Sequence, residues 1–266
     1  MCPRQVSDRG FGDIDPSLFK ILAEQAADKD VIFYPQGFGE SLLHPPFGAM
    51  LTSLRQLGVR YPVVISNATM LTEANCQMFI QAEPAVIIVS LDGAEPELYE
   101  QLRPNASYVK VVENIERLFK VRAQLGRTRP HIILSVVGME GIPEKLEAFR
   151  KKWEPFLLPS DESFRCSVVS WAGTFDTVAA PPKVRSTSTE TRSPCRMLYK
   201  TLTVYYDGRT TPCCYDHACR LEVGNAKTTS IADIWHGDEL RRLRHLHETG
   251  RVNEIDLCRD CPDFIP

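Results

Sequence analysis

The sequence predicts an α/β fold built from repeated βα units, followed by a separate C-terminal domain rich in cysteine. Over the first 175 residues, short β-branched and apolar runs alternate with amphipathic helical patterns. A stretch rich in Pro, Ser and Thr then interrupts this alternation. Six of the nine cysteines lie in the last 72 residues. We therefore place a first domain at 1–175, a linker at 176–194 and a second domain at 195–266.

The predicted strands of the first domain are nearly continuous apolar runs, which is typical of parallel strands covered on both faces. Parallel strands joined by right-handed helical crossovers form either an open doubly wound sheet or a barrel. The periodicity of the sequence favours neither architecture. The predicted strands are residues 31–34, 63–66, 85–91, 131–137 and 167–171.

The helices between these strands have recognisable ends. Asp15 precedes a proline at the first helical position, and Thr72 is a typical N-cap residue. Gly58 and Gly126 follow helical patterns, and glycine in this place ends a helix by adopting a positive φ. These signals predict where four helices begin or end.

The C-terminal domain is predicted to contain a β-hairpin and a helix. A strand at 201–206 leads to a turn at Asp207-Gly208, because a tight hairpin turn favours glycine. A returning strand follows at 210–215, and a helix with one apolar face is predicted over 230–248. With so few apolar residues, this domain is expected to need a metal site to hold its shape.

Four late cysteines have the spacing of a metal-thiolate site. Twelve residues separate Cys195 from Gly208, four more separate Gly208 from Cys213, and Cys258 and Cys261 follow as Cys-x2-Cys. A Cys-x2-Cys turn places two sulfurs on one metal or cluster, and two distant cysteines complete four thiolates. From the residues alone, both an iron-sulfur cluster and a zinc ion fit. The odd, clustered cysteine count does not fit a secreted disulfide framework.

Composition argues against two classes of partner. The formal net charge is -3 and no long basic block occurs, so we expect no nucleic-acid binding and no capture by anionic membranes. The longest apolar stretches, such as 85–91, are far shorter than the ~20 residues that span a bilayer. We therefore expect a cytoplasmic protein.

A glycine-rich turn, Gly37-Phe38-Gly39-Glu40, follows the strand predicted at 31–34. Together with the opening Met-Cys-Pro-Arg segment, which contains Cys2, and with the late cysteine set, it resembles the radical S-adenosylmethionine (SAM) enzymes of the SPASM/Twitch group. The resemblance covers nearly the whole chain. In that family, three cysteines spaced Cys-x3-Cys-x2-Cys hold a 4Fe-4S cluster that cleaves SAM, and Met-Cys-Pro-Arg is a common form of the third cysteine and its neighbours.

The resemblance implies a fold, two cofactors and a set of site residues. The fold is a partial (β/α)6 TIM-like barrel lacking its first strand, plus a small Twitch/SPASM domain that carries one auxiliary 4Fe-4S cluster. The glycine-rich turn binds the methionyl amine of SAM, and polar residues at the next two strand ends contact its ribose or carboxylate. The implied SAM-binding residues are Gly37, Gly39, Glu40, Asn67 and Ser90, and the implied metal ligands are Cys2, Cys195, Cys213, Cys258 and Cys261.

Several of these assignments have a plain alternative. Asn67 and Ser90 are also typical of turn residues that bond their own backbone. Ala68 stands where the family has glycine, and Asp92 with Arg103 is interpreted as an ion pair on a loop.

The resemblance implies reductive cleavage of SAM to methionine and a 5'-deoxyadenosyl radical, with electrons from a donor such as flavodoxin or ferredoxin. We expect oxidation of an alcohol on a small sugar-like or aminocyclitol substrate. Modification of a peptide substrate is the first alternative. The second is a truncated, catalytically inactive protein that binds an iron-sulfur cluster or zinc.

The second alternative arises from the count of cysteines near Cys2. The family motif needs three cysteines and this sequence shows one, so we expect a chain truncated within the motif and, as given, inactive. The nucleotide sequence upstream of Met1 distinguishes the possibilities. An in-frame Cys-x3-Cys separated from Cys2 by two codons would favour the enzyme, and its absence would favour decay or truncation.

Overall fold

The computed structural model describes residues 10, 12–93, 95–137, 143–165, 172, 193–259 and 261. The chain divides into two compact units. The first, here called the sheet unit, is Ala26–Ser167, and the second, the cysteine unit, combines Met1–Gln25 with Val168–Pro266. Nearly all of the predicted linker, 176–194, lies outside the described residues.

The N-terminal helix groups with the cysteine unit, although the sequence pattern places it in the first domain. The backbone N–H of Ile231 donates to Oε1 of Gln25 at 2.7 Å. Gly12 lies against the ring of Tyr206, so closely that a Cβ added to Gly12 would lie 2.4 Å from a ring carbon. Both contacts join residues about 200 positions apart. Local patterns carry no information about such pairs.

The sheet unit contains one parallel sheet whose five strands lie in chain order. The strands are β1 Ile32–Phe33, β2 Tyr61–Ser66, β3 Val86–Asp92, β4 His131–Val137 and β5 Glu162–Arg165. The helices that connect them are α2 Phe47–Gln56, α3 Glu73–Ala82, α4 Pro96–Leu102, α5 Tyr108–Gln124 and α6 Pro143–Trp153, which follow α1 Pro16–Ala26 of the cysteine unit.

The first four predicted strands are confirmed within two residues at each end. The fifth prediction, 167–171, lies outside the described residues, and the structure places β5 at Glu162–Arg165 instead. That segment contains one phenylalanine among charged and polar residues, so a search for continuous apolar runs does not detect it.

The predicted helix ends are also confirmed. Thr72 accepts a bond from the backbone N–H of Asn75, and Oδ1 of Asp15 accepts one from the N–H of Ser17. Gly58 and Gly126 both have positive φ.

The two faces of the parallel sheet differ in burial. Ile87 of β3 lies in register with Val64 of β2, and both are fully buried. On the opposite face, Ile65 pairs with Ile88 and remains 37% exposed. When parallel strands follow one another in chain order, the crossover helices lie on one face of the sheet. A doubly wound sheet needs a point at which the strand order reverses. The α/β fold with a parallel sheet is confirmed, and the partial (β/α)6 barrel stays a prediction.

The cysteine unit contains a three-stranded antiparallel sheet, ordered β6-β7-β8, and short helices. Among the described residues no helix has the length and apolarity that a membrane crossing requires. The elements after α6 are α7 Met197–Lys200, β6 Thr203–Val204, β7 Arg209–Thr211, β8 Gly224–Asn225, α8 Ile231–Trp235, α9 Asp238–Glu248 and α10 Asp256–Arg259.

The predicted hairpin is present, with shorter strands than expected. β6 and β7 pair antiparallel around Asp207-Gly208, and Gly208 has a φ of 90°. The single helix predicted over 230–248 is wrong, because the structure has two helices, α8 and α9. Gly237 lies between them in an extended conformation as the N-cap of α9. Glycine is unfavourable inside a helix, which explains a break at this position. The apolar periodicity nevertheless continues on both sides of the break.

Candidate functional site

A half-buried carboxylate, that of Glu40, joins the loops that follow β1 and β2. Oε2 of Glu40 accepts a hydrogen bond from the backbone N–H of Asn67 at 2.8 Å. Its Oε1 accepts from the hydroxyl of Ser66 at 3.1 Å and from the N–H of Leu42 at 3.3 Å. Burial raises the pKa of the Glu40 carboxyl, and the three bonds together with the charge of Arg103 oppose that rise. Because Glu40 follows β1 and bonds to residues at the end of β2, it lies at the carboxyl end of the parallel strands. Barrel enzymes bind their ligands at this end.

The turn that carries Glu40 has room for a ligand. A Cβ added to Gly37 would meet nothing within 4 Å, so open space lies beside this residue. Gly39 has a φ of 110°, a conformation that glycine adopts at no steric cost. A carboxylate offers about four acceptor positions, and the protein uses three of those on Glu40. The remaining one fits an ammonium donor.

The loop after β2 is held by its own side chains. Oδ1 of Asn67 accepts from the backbone N–H of Thr69 at 2.9 Å and from its hydroxyl at 2.6 Å. These are the turn bonds that the plain alternative for Asn67 predicts. Within the described part of the chain, the side-chain NH₂ of Asn67 makes no hydrogen bond, so it is free to donate to a ligand.

Ala68 has a φ of 63°, the left-handed conformation that the family's glycine would adopt without strain. Nδ2 of Asn114, on α5, donates to the carbonyl of Ala68 at 2.9 Å. Nη1 of Arg117, one turn further along α5, donates to the carbonyl of Leu71 at 2.7 Å. Ala68 therefore adopts a left-handed conformation in a loop that α5 holds from outside.

The end of β3 supplies Ser90 and an ion pair. Ser90 is half-buried and lies in register with Ser135 of β4. Asp92 is buried and forms an ion pair with Arg103, with an Nη2–Oδ2 distance of 2.5 Å. The interpretation of Asp92 and Arg103 as an ion pair is thus confirmed. The structure brings Glu40 to the Asn67 loop and places Ser90 on the neighbouring strand, whereas Cys2 lies outside the described residues.

In the cysteine unit, the Cys-x2-Cys pair forms the tight turn that its spacing predicts. The N–H of Cys261 points to the carbonyl of Cys258 at 3.4 Å, and Cys258 lies on α10. Burial raises the pKa of the Cys213 thiol, a hydrogen bond from the backbone N–H of Tyr215 lowers it, and nearby Cys258 raises it. Cys213 and Cys258 therefore lie close enough for the charge of one to affect the pKa of the other, although they are 45 positions apart in the sequence.

The loop after Cys213 is organised by a buried aspartate that the sequence analysis missed. Asp216 is 1% exposed, and its carboxylate accepts from the hydroxyl of Thr211 at 2.9 Å. The same carboxylate accepts from the N–H groups of Arg220 and Leu221, both at 2.8 Å. Aspartate is common in turns because its side chain accepts hydrogen bonds from nearby backbone N–H groups, and this could have indicated the role.

The arrangement of donors bears on the choice between zinc and a cluster. Among the described residues, no three Cys, His, Asp or Glu side chains converge closely enough to hold one metal ion. A tetrahedral zinc site with Zn–S bonds of ~2.3 Å brings its sulfurs within about 4 Å of one another. In a 4Fe-4S cluster each thiolate binds a different iron, so the sulfurs lie further apart. Thiolates from cysteine suit both a zinc ion and a 4Fe-4S cluster.

A comparison with protein families decides the nature of the cysteine unit. Residues 195–262 match the SPASM family, an iron-sulfur cluster-binding domain. The C-terminal segment is thus similar to SPASM domains. Its matched range begins at Cys195 and contains Cys213, Cys258 and Cys261. The iron-sulfur cofactor that the family resemblance implies for this part of the chain is confirmed.

Relatives extend the similarity to the sheet unit. The S-adenosyl-L-methionine-dependent 2-deoxy-scyllo-inosamine dehydrogenase of Niallia circulans is 21% identical over 266 residues, which are 98% of this chain and 85% of the relative. The structure of BtrN in complex with AdoMet and 2-DOIA has a TM-score of 0.63 at 19% identity, covering 98% of this chain and 85% of BtrN.

A third structure shares the fold. Native anSMEcpe with bound AdoMet has a TM-score of 0.64 at 13% identity, covering 96% of this chain and 81% of anSMEcpe. At this level of identity, the two structures show a common fold. With the SPASM match and the dehydrogenase relative, they confirm the resemblance to radical SAM enzymes with a SPASM domain.

Proposed function

We propose that this protein is a radical SAM oxidoreductase that oxidises an alcohol on a small sugar-like or aminocyclitol substrate. The observation that carries the proposal is the Glu40 carboxylate at the carboxyl end of the parallel strands, in a chain that also contains a SPASM domain. The dehydrogenase relative, which is named for an aminocyclitol substrate, supports the reaction class.

The residues at the sheet edge have separate roles in this proposal. Glu40 accepts a hydrogen bond from the ammonium group of SAM through its remaining acceptor position. Gly37 leaves the space that the methionyl group occupies. The NH₂ of Asn67 and the hydroxyl of Ser90 contact the carboxylate or ribose. When bound, SAM and its 4Fe-4S cluster supply a radical that abstracts hydrogen from an unactivated carbon.

The SPASM domain gives the reaction its direction. We assign its cluster to Cys195, Cys213, Cys258 and Cys261, while Cys2 is the ligand that this sequence offers to the SAM-cleaving cluster. A cluster held in the SPASM domain supplies an electron acceptor, so that loss of a hydrogen atom from the substrate can become a net two-electron oxidation. This makes an alcohol a suitable substrate.

Two forms of the protein test the proposal. One is the chain of 266 residues, and the other is the same chain preceded in frame by a Cys-x3-Cys and one further residue, so that this residue and Met1 separate the second added cysteine from Cys2. Both are reconstituted with iron and sulfide and given SAM, strong reductant and either aminocyclitols, including 2-deoxy-scyllo-inosamine, or peptides. We expect about four irons and no 5'-deoxyadenosine for the first form, and about eight irons with 5'-deoxyadenosine for the second.

Mass spectrometry of the substrates decides between the reaction classes. The proposal predicts an aminocyclitol or sugar that loses two hydrogens with the extended form. Turnover of peptides alone would favour a peptide-modifying enzyme. Absence of 5'-deoxyadenosine from both forms would favour a non-catalytic iron-sulfur protein. Its formation by the unextended chain, above a Cys2→Ala control, would contradict the assigned catalytic ligands.

Glu40 can be tested by binding alone. Glu40→Gln keeps the size of the side chain and removes its charge, so we expect about 10-fold weaker SAM binding to the extended, reconstituted protein. Glu113→Gln, on an exposed position of α5, is the matched control and should bind as the parent does. Equal affinities for the Glu40 variant and the parent would remove Glu40 from the SAM site.

A further inference from the structure

The segment that contains Cys195 is held by helix α9. Nδ1 of His247 accepts a hydrogen bond from the backbone N–H of Cys195 at 3.3 Å. His247 is 2% exposed, so this bond is shielded from water. The carbonyl of Cys195 accepts from the N–H of Leu198 at 3.3 Å, which starts the single turn of α7. Both backbone polar groups of Cys195 are therefore fixed.

A second side chain of α9 holds the same segment. Arg244 lies three residues before His247 and thus on the same side of the helix. Its Nε donates to the carbonyl of Leu198 at 3.0 Å, and its Nη1 donates to the carbonyl of Trp235 at 3.2 Å. The guanidinium lies over the ring of Trp235 at 4.4 Å and near the ring of Tyr199 at 5.4 Å. Arg244 thereby ties α7 to α8 and α9.

Cys195 depends on such support more than the other cysteines do. Cys258 and Cys261 share one turn, and Cys213 follows a β-strand with a loop built around Asp216. Cys195 lies 18 residues before Cys213 and belongs to no described helix or strand. The position of its sulfur therefore follows from how firmly α9 holds its backbone.

We propose that His247 is a positioning residue for the Cys195 ligand of the SPASM cluster, and that Arg244 supports it. The inference rests on the proposed ligation of the cluster by Cys195. Groups that orient metal ligands without touching the metal commonly change metal affinity by about 10-fold to 100-fold when substituted. His247 is such a group for Cys195.

The test compares His247→Phe, which keeps a ring and removes the acceptor, with His247→Asn, which places an amide oxygen near the position of Nδ1. His245→Phe, on an exposed position of the same helix, is the control. Each full-length chain is reconstituted anaerobically, and two quantities are measured: the rate of iron release to a chelator and the midpoint potential of the SPASM cluster.

We expect His247→Phe to release iron about 10-fold faster than the parent and to change the midpoint potential. His247→Asn should restore both quantities toward the parent values, and His245→Phe should leave both unchanged. A purely structural role for His247 would lower the stability of the metal-free chain and leave the potential as it is. Parent-like release and potential in His247→Phe would overturn the inference.

Two further variants keep the result decisive. If His247→Phe does not fold, Arg244→Lys, which loses the bond to Leu198, takes its place with the same expected direction and the same contradicting result. Cys195→Ser separates this inference from the proposed ligand set. A normal cluster in Cys195→Ser would refute the ligand set itself. Loss of the cluster in Cys195→Ser, with parent-like His247→Phe and Arg244→Lys, would refute the positioning role alone.

Discussion

The two candidate sites differ in which residues hold the backbone in place. At the edge of the parallel sheet, Glu40 and Asn67 are proposed to bind SAM and also form the bonds that shape their own loops. In the SPASM domain, Asp216 and His247 hold the backbone, while four cysteines are proposed to bind iron. Binding and folding are therefore coupled at the first site and separable at the second.

This difference predicts which quantity each substitution should change. A residue that only holds a loop should change stability, and a residue that only binds a cofactor should change cofactor content. Variants of Glu40 should change both quantities. The predictions below begin with the largest expected loss of stability.

Removal of the Asp216 carboxylate should destabilise the SPASM domain most. Asp216→Ala leaves the hydroxyl of Thr211 and two backbone N–H groups without their buried charged acceptor. We expect the free energy of unfolding of the metal-free chain to fall by about 3 kcal/mol in urea titrations. Asp238→Ala, with a side chain that is 95% exposed, is the control and should change it little. A loss below about 1 kcal/mol for Asp216→Ala would show that the loop has other support.

Alanine at Gly208 should break the hairpin that leads to Cys213. The φ of 90° is strained for alanine, and the new Cβ would lie 2.4 Å from Oδ1 of Asn225. That oxygen also accepts from the N–H of Lys227, so it cannot move without losing a bond. We expect a loss of about 2 kcal/mol. Gly126 also has a positive φ but is surrounded by open space, so Gly126→Ala measures the cost of the backbone conformation alone. An equal loss of stability in both variants would contradict the close-approach argument.

Glycine at position 68 should stabilise the sheet unit. Alanine in a left-handed conformation costs about 1–2 kcal/mol, while glycine loses about 0.5–1 kcal/mol through the entropy of the unfolded chain. Ala68→Gly should therefore raise the free energy of unfolding by about 0.5–1 kcal/mol. Ala148→Gly, at an exposed position inside α6, should lower it by about 1 kcal/mol. A loss in both variants would mean that Asn114 and Arg117 already relieve the strain at Ala68.

The smallest expected effect is the pH dependence that Glu40 contributes. Because burial raises the folded-state pKa of Glu40, its contribution to stability is present below the ordinary pKa of glutamate and is lost as the pH rises through the folded-state pKa. Glutamine resembles protonated glutamate in its donors and acceptors. Glu40→Gln should therefore match the parent in acid and become the more stable protein at neutral pH. Urea titrations at both pH values measure this, and the reverse trend would contradict the assigned direction.

The parts of the fold that the sequence predicted are those with local signatures. Four strands were continuous apolar runs, and the hairpin had a glycine at the position that requires it. The break at Gly237 was missed because the apolar periodicity continues on both sides of it. The placement of α1 in the cysteine unit depends on contacts such as Gln25 with Ile231, which leave no pattern in the sequence.

The candidate sites follow the same rule. The spacing of the late cysteines carried the resemblance to SPASM proteins, because a Cys-x2-Cys turn and two distant cysteines can supply four thiolates to one site. Asp216 and His247 were not predicted, because each bonds to backbone groups and any nearby acceptor could do the same. The bond between His247 and Cys195 joins residues 52 positions apart. Only the folded structure shows that pair.

The most direct test of this account is a count of iron and sulfide in single serine variants of the SPASM cysteines. The reconstituted parent should hold about four irons in this domain, with the spectrum of a 4Fe-4S cluster. Cys214 and Cys219 are outside the proposed ligand set, so their serine variants should keep that content. Cluster loss should be confined to Cys195→Ser, Cys213→Ser, Cys258→Ser and Cys261→Ser. A full cluster in any of these four, or its loss in Cys214→Ser or Cys219→Ser, would contradict the assignment.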